Sequence, residues 1–63
     1  MARSIPADFA AALARDARAK RFFDGLSYSN KRRLVIPIED AKAADTRERR
    51  IAKTVEMLSE GRN

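Results

Sequence analysis

Ala41-Lys42-Ala43-Ala44-Asp45-Thr46-Arg47-Glu48-Arg49-Arg50-Ile51 holds a helix end, a short loop and a helix start, and its reading decides the fold. Asp45 is of a type that favours the N-cap, and Glu48 follows three positions later, as a capping box requires. In that arrangement the Asp45 carboxylate accepts a free backbone N–H at or beside Glu48. The Glu48 side chain in turn accepts the N–H of Asp45. Behind this cap Ile51, Val55 and Leu58 share one stripe at helical spacing. The composition of Arg47–Glu60 favours helix, and Gly61 is a stop signal. The spacing predicts a helix from Thr46 to about Glu60.

Working upstream, Ser27 or Ser29 caps a third helix whose inner face is Leu34, Ile38 and Ala41, with Val35 alongside. Pro37 lies within that pattern. It lacks a backbone donor and clashes with the carbonyl of Arg33, which costs about 3 kcal/mol in a straight helix. It also pushes Ile36 towards extended geometry. The expectation is a helix kinked or broken at Pro37. A Leu34–Ile38 strand is the alternative, but a lone strand has nothing to pair with.

Nearer the N-terminus, Pro6 suits a helix start, and Phe9 and Leu13 follow four residues apart in an alanine-rich run. A helix from Ala7 to about Arg15 is expected, with Ile5 folding back as a hydrophobic staple. The next apolar set, Ala19, Phe22, Phe23 and Leu26, is out of phase with Phe9 and Leu13. That slip marks a break at Asp16, a good N-cap, followed by a helix from Ala17 to about Asp24. Gly25 is expected to end it in the left-handed conformation; one long helix is the alternative.

The fold class that follows is all-α, a small bundle of three to four helices in a single domain spanning 1–63, with residues 1–4 and 62–63 frayed. Its expected core is Phe9, Leu13, Phe22, Phe23, Leu26, Leu34, Ile38, Ile51, Val55 and Leu58.

Composition narrows the function. The chain of 63 residues has no cysteine and no histidine. It therefore lacks a disulfide framework, a thiolate metal site and the usual general base. No apolar run approaches the length of a membrane span, and the N-terminus lacks the apolar core of a secretory signal. A cytoplasmic, non-enzymatic protein without cofactor or metal is expected. The 14 bases against 9 acids give a net charge of +5, which favours polyanions. The excess is local, at Lys31-Arg32-Arg33 and from Arg47 to Lys53.

Several stretches together resemble the bacteriocin-protection, OmpD-associated (YdeI/OmdA-like) family. They are Phe23-Asp24-Gly25-Leu26-Ser27, Ile38-Glu39-Asp40-Ala41-Lys42 and Thr46-Arg47-Glu48-Arg49-Arg50-Ile51. The opening from Pro6 to Leu13 and the ending from Met57 to Gly61 are similar too, so the likeness covers nearly the whole chain. Its alanine-lysine, threonine-arginine and second arginine fall on Ala41, Lys42, Thr46, Arg47 and Arg50. Two positions depart from the pattern: Tyr28 stands where the family usually has proline, and Pro37 where it usually has an aromatic residue. The resemblance implies a small helical bacterial domain, often appended to another domain, with a loose link to protection against bacteriocins or antimicrobial peptides. It implies no catalytic residues.

The candidate binding residues are Lys42, Thr46, Arg47, Arg49, Arg50 and Lys53, at the corner between the last two helices. A helix N-terminus with arginines around it favours an anion. In that reading Arg47 and Arg50 grip a carboxylate or phosphate and Thr46 adds a hydroxyl. The structural alternative is a solvated face on which Arg47 pairs with Asp40 or Glu39 across the turn. A helix-turn-helix reading places the Arg47–Lys53 end in a DNA major groove. Against it, the turn lacks glycine, the exposed face also carries Glu56 and Glu60, and no aromatic pair is set for stacking on bases.

Lys31-Arg32-Arg33 reads as a charged face guarding an apolar run against aggregation, or as a membrane-surface contact. Tyr28 and Ile36 are candidates for a partner surface; the alternative for Ile36 is burial once Pro37 bends the helix. The acids Glu39, Asp40 and Asp45 either hold a weak cation or neutralise the nearby bases. The expected partner is a protein or anionic ligand, with nucleic acid the less favoured option.

Overall fold

Four helices and no strand form among residues 5–63, which the computed structural model describes; the expected fraying of 1–4 lies outside the described residues. In chain order they are α1 (Ala7–Ala14), α2 (Ala17–Asp24), α3 (Tyr28–Asp40) and α4 (Ala44–Ser59). No helix among the described residues is long and apolar enough to cross a membrane.

The phase slip between Leu13 and Ala19 is a real break. Asp16 has extended backbone, and its carboxylate accepts the N–H of Ala19 at 3.1 Å, so α2 begins with a side-chain cap. Re-aiming the chain there lets Phe9 and Phe23 meet edge to face, with ring centroids 5.5 Å apart at 90°, a favoured arrangement of aromatic quadrupoles. Ser27, rather than Ser29, caps α3, its hydroxyl accepting the Asn30 N–H at 3.2 Å.

The α2 terminus departs from expectation. Gly25 has φ −85° and ψ −4°, ordinary right-handed geometry. The last turn tightens instead, with Gly25 N–H donating to Phe22 O at 3.2 Å and Leu26 N–H to Phe23 O at 3.0 Å. Such three-residue bonds satisfy terminal carbonyls without a left-handed residue. The left-handed glycine lies at the end of α4. Gly61 has φ 78°, Gly61 N–H reaches Leu58 O and Arg62 N–H reaches Met57 O, both at 2.9 Å. That pair of bonds is a Schellman motif.

Of the two expected outcomes at Pro37, a kink or a break, the break does not occur: α3 runs through it as one helix. The proline is on the exposed side, three residues before the helix ends. Val35 and Ile38 on either side of it are buried, so core packing holds both halves in one helix. Ile36 is consequently not drawn inward; it is 41% exposed.

The start of α4 also differs. Ala43, with φ −84° and ψ 140°, is the N-cap residue, and it makes no side-chain cap bond. The helix thus begins two residues before Thr46, and Asp45 lies inside its first turn. There the Asp45 carboxylate accepts the N–H of its neighbour Thr46 at 2.8 Å, and no capping box with Glu48 forms. Alanine at both Ala43 and Ala44 offers no competing side-chain bond and extends the helix readily. Asp45 still lies where the helix dipole favours its charge.

Helix α4 touches all three other helices, whereas α3 rests chiefly on α4. The fully packed interior is Phe9, Leu13, Ala19, Phe23, Val35, Ile38, Ile51 and Leu58, with Ile5, Ala12, Phe22, Leu26, Leu34 and Val55 half-buried around it. Val35 therefore lies deeper than Leu34, and Phe22, Leu26 and Val55 form the rim of the core. No charged side chain is buried among the described residues.

Phe23→Ala should cost about 3–5 kcal/mol, because a buried ring leaves a cavity this small core cannot close. A thermal melt within a few degrees of the parent would contradict that placement. The two glycines should respond in opposite directions. A Cβ at Gly25 meets only Phe22 O at 3.7 Å and Arg21 O at 3.8 Å, which is ordinary contact. Gly25→Ala should then stabilise by about 0.4–1 kcal/mol. Gly61→Ala must adopt positive φ and should destabilise by about 1–2 kcal/mol. Urea melts of both variants check the sign.

Candidate functional site

A cation in the first turns of a helix faces the positive end of that helix's dipole, an unfavourable position without a partner. Arg47 and Arg50 both lie there in α4, and both have partners. Arg47 Nε donates to Asp8 Oδ2 at 2.6 Å and Nη2 to Asp8 Oδ1 at 3.2 Å. The remaining arm, Nη1, donates to the backbone carbonyl of Ile38 at 3.1 Å. Arg50 Nη1 donates to the carbonyl of Pro37 at 2.6 Å. Pro37 and Ile38 lie in the last turn of α3, where carbonyls lack the regular four-residue helical donor; the Ile38 carbonyl also accepts the Ala41 N–H at 3.2 Å. The two arginines of α4 thus supply cationic donors to the negative end of α3, the complement the dipole calls for.

Asp8 is the residue that sequence reasoning missed. It lies in the first turn of α1 and also accepts the N–H of Phe9 at 2.9 Å. Its pairing with Arg47 spans 39 residues, too far for local spacing to signal. An acid just inside a helix start was the only trace. The expected partners Asp40 and Glu39 do not hold Arg47; Glu39 adds only a minor, longer-range charge effect. The hydrogen bond from Arg47 holds the Asp8 carboxyl below its ordinary value of 3.8, and Asp8 in turn makes Arg47 harder to deprotonate.

The other candidates fall into two groups. Lys42, in the α3–α4 connection, and Arg49 and Lys53, on the outer face of α4, are exposed. Among the described residues no carboxylate lies within ion-pair distance of any of them. Arg49 and Lys53 are one turn apart, and Glu56 and Glu60 continue the same outer stripe. Thr46 is half-buried, with its N–H taken by Asp45. Arg50 is exposed, and its Nε and Nη2 have no partner among the described residues.

Tyr28 and Ile36 are 74% and 41% exposed, the two large apolar side chains that are exposed rather than half-buried among the described residues. They lie on α3, not at the α4 corner. Lys31 is turned inward from this helix, its ammonium 5.6 Å from the centre of the Phe23 ring, a cation–π contact. Glu39, Asp40 and Asp45 are exposed, and no group of three acids among the described residues is placed to hold a metal ion.

The family model described as OmdA, bacteriocin-protection, YdeI or OmpD-associated, matches residues 2–61. The chain belongs to that family. No curated protein and no solved structure matches it.

Sign and pH range follow from the Asp8 shift. A carboxyl with a lowered folded value contributes stability that is complete above its ordinary value of 3.8 and is lost as pH falls through the lowered one. Arg47→Gln should raise the Asp8 titration towards its ordinary range, read by carboxyl carbon NMR, and reduce the acid sensitivity of the thermal melt. Arg47→Lys should restore it only partly, since an ammonium cannot span both carboxylate oxygens and the Ile38 carbonyl in one plane. An unchanged Asp8 titration curve in Arg47→Gln would rule out the pairing.

Proposed function

We propose that this member of the bacteriocin-protection family is a non-catalytic interaction module that holds an anionic group of its partner, a carboxylate or phosphate, at the α3–α4 corner. The observation that carries this reading is the set of exposed cations Lys42, Arg49 and Lys53, which have no acid paired to them among the described residues. Arg50 joins them with two donors left over after its bond to Pro37. Arg47 is a positioning residue in this scheme, since its fork is spent on Asp8 and Ile38. Thr46 borders the site with its hydroxyl. The absence of histidine and cysteine from the sequence, and of a buried carboxylate among the described residues, supports binding over catalysis.

The charge also bears on how protection would work. A cationic peptide meets like charge at this corner, which opposes direct capture. The reading therefore places the link to bacteriocins on an acidic or phosphorylated intermediary.

The second reading is helix-turn-helix DNA binding. The short connection Ala41–Ala43 between α3 and α4 favours it, as do the arginines of the first turns. The inward commitment of Arg47, the exposed acids Glu48 and Glu56 of α4, and Glu60 at its C-cap weigh against it.

Amide NMR titrations separate the two. Inorganic phosphate or a glutamate-rich peptide should shift the amides of Lys42, Arg49, Arg50 and Lys53 saturably. The double variant Arg49→Glu/Lys53→Glu should lose the effect at least tenfold while keeping the parent spectrum elsewhere. No shift with either probe ends the proposal. A duplex that binds with a log–log salt slope of several units, while phosphate and peptide do nothing, transfers the case to DNA.

A further inference from the structure

One helix face has a composition that the corner does not explain. Tyr28, Arg32 and Ile36 follow one another at four-residue steps on α3, so they form a single ridge. The ridge spans about 12 Å at 1.5 Å per residue. Its two ends are the exposed large apolar side chains of the described chain, 74% and 41% open to solvent. Its middle is an exposed arginine, flanked by exposed Arg33. Among the described residues no carboxylate lies within ion-pair distance of Arg32 or Arg33; Arg33 touches only the Asn30 side-chain oxygen, at 3.2 Å. Helix α3 rests chiefly on α4, which leaves this ridge without a partner in the fold.

Three occupants are chemically distinct. A second copy laid face to face would set Arg32 and Arg33 against their own kind, and like charges across an interface cost affinity. An anionic lipid surface would attract the arginines, but as an extended plane it would also meet exposed Glu39 and Asp40 at the end of the same helix, which a helix docked only between Tyr28 and Ile36 does not. The surface also offers only two apolar anchors, where interfacial helices present a full apolar face. An acidic helix matches on both counts, with apolar side chains two turns apart against Tyr28 and Ile36 and carboxylates between them for the guanidinium groups.

We infer that the Tyr28–Arg32–Ile36 ridge of α3 is a docking surface for an acidic amphipathic helix of a partner protein. It goes beyond the anion site at the α3–α4 corner and stands without it. Arg32 supplies the charge match, Arg33 widens it, and Tyr28 and Ile36 provide the apolar contacts. The Arg50 bond to Pro37 O anchors the end of the helix that presents Ile36.

Tyr28 is the one tyrosine in a chain without tryptophan, so its fluorescence reports this face directly. The probes are two designed helical peptides with leucines seven residues apart, one with glutamates between them and the other with lysines. The glutamate peptide should change Tyr28 emission saturably, and the lysine peptide should not. Arg32→Glu should weaken the glutamate peptide at least tenfold and, with Arg33→Glu, create binding of the lysine peptide. Ile36→Ser should weaken it several-fold, whereas Arg49→Glu/Lys53→Glu should leave it unchanged. Equal response to both peptides, or none to the glutamate peptide, overturns the inference. So does a response confined to phosphatidylglycerol vesicles, or a Tyr28 signal that follows protein dilution alone. Loss in the Arg49/Lys53 variant but not in Arg32→Glu would assign the peptide to the corner instead.

Discussion

The guanidinium of Arg47 joins three helices. From the first turns of α4 it reaches both carboxylate oxygens of Asp8 on α1 and a terminal carbonyl of α3. Only a planar group with donors on all three nitrogens can do this at once. It also reconciles opposing fields. A cation at the start of α4 is disfavoured by that helix, but the acid at the start of α1 and the carbonyls at the end of α3 are each the charge such a cation needs. The apolar core sets how closely the helices approach. Arg47 ties three of their ends together.

That tie has consequences for α3. The helix carries a proline in its interior and packs mainly on one neighbour, a combination that by propensity alone favours a break. Burial of Val35 and Ile38 on either side of Pro37 keeps it whole. Arg50 then satisfies the carbonyl of Pro37 from outside the helix, and Arg47 adds a second donor to that of Ile38. With α3 held along one face and at one end, its opposite face is free, and Ile36 stays in solvent. The same rigid presentation that exposes Ile36 aligns it with Arg32 and Tyr28.

The basic residues consequently divide by role. Arg47 and Lys31 face inward, to a carboxylate and to an aromatic ring. Lys42, Arg49 and Lys53 point to water at the corner, and Arg32 and Arg33 do so on α3. Net charge does not distinguish these sets, although only the inward ones hold the fold together. In this member of the bacteriocin-protection family, the outward bases therefore lie on the outer sides of α3 and α4, while Arg47 is engaged within the fold.

Much of this was legible in the residues. Apolar spacing and capping chemistry pointed to three or four helices, a break at Asp16, a cap at Ser27 or Ser29 and the end of α4 at Gly61, because each depends on side chains within a few positions of one another. The same local logic misplaced the left-handed turn at Gly25 and the cap at Asp45. In both cases the backbone had a second way to satisfy its terminal groups, and packing chose between them. Tertiary structure alone decided that Arg47 belongs to Asp8, that Val35 lies deeper than Leu34, and that Pro37 does not break its helix. These depend on groups brought together from distant parts of the chain, and a charge or a proline carries no mark of the partner that folding will place beside it.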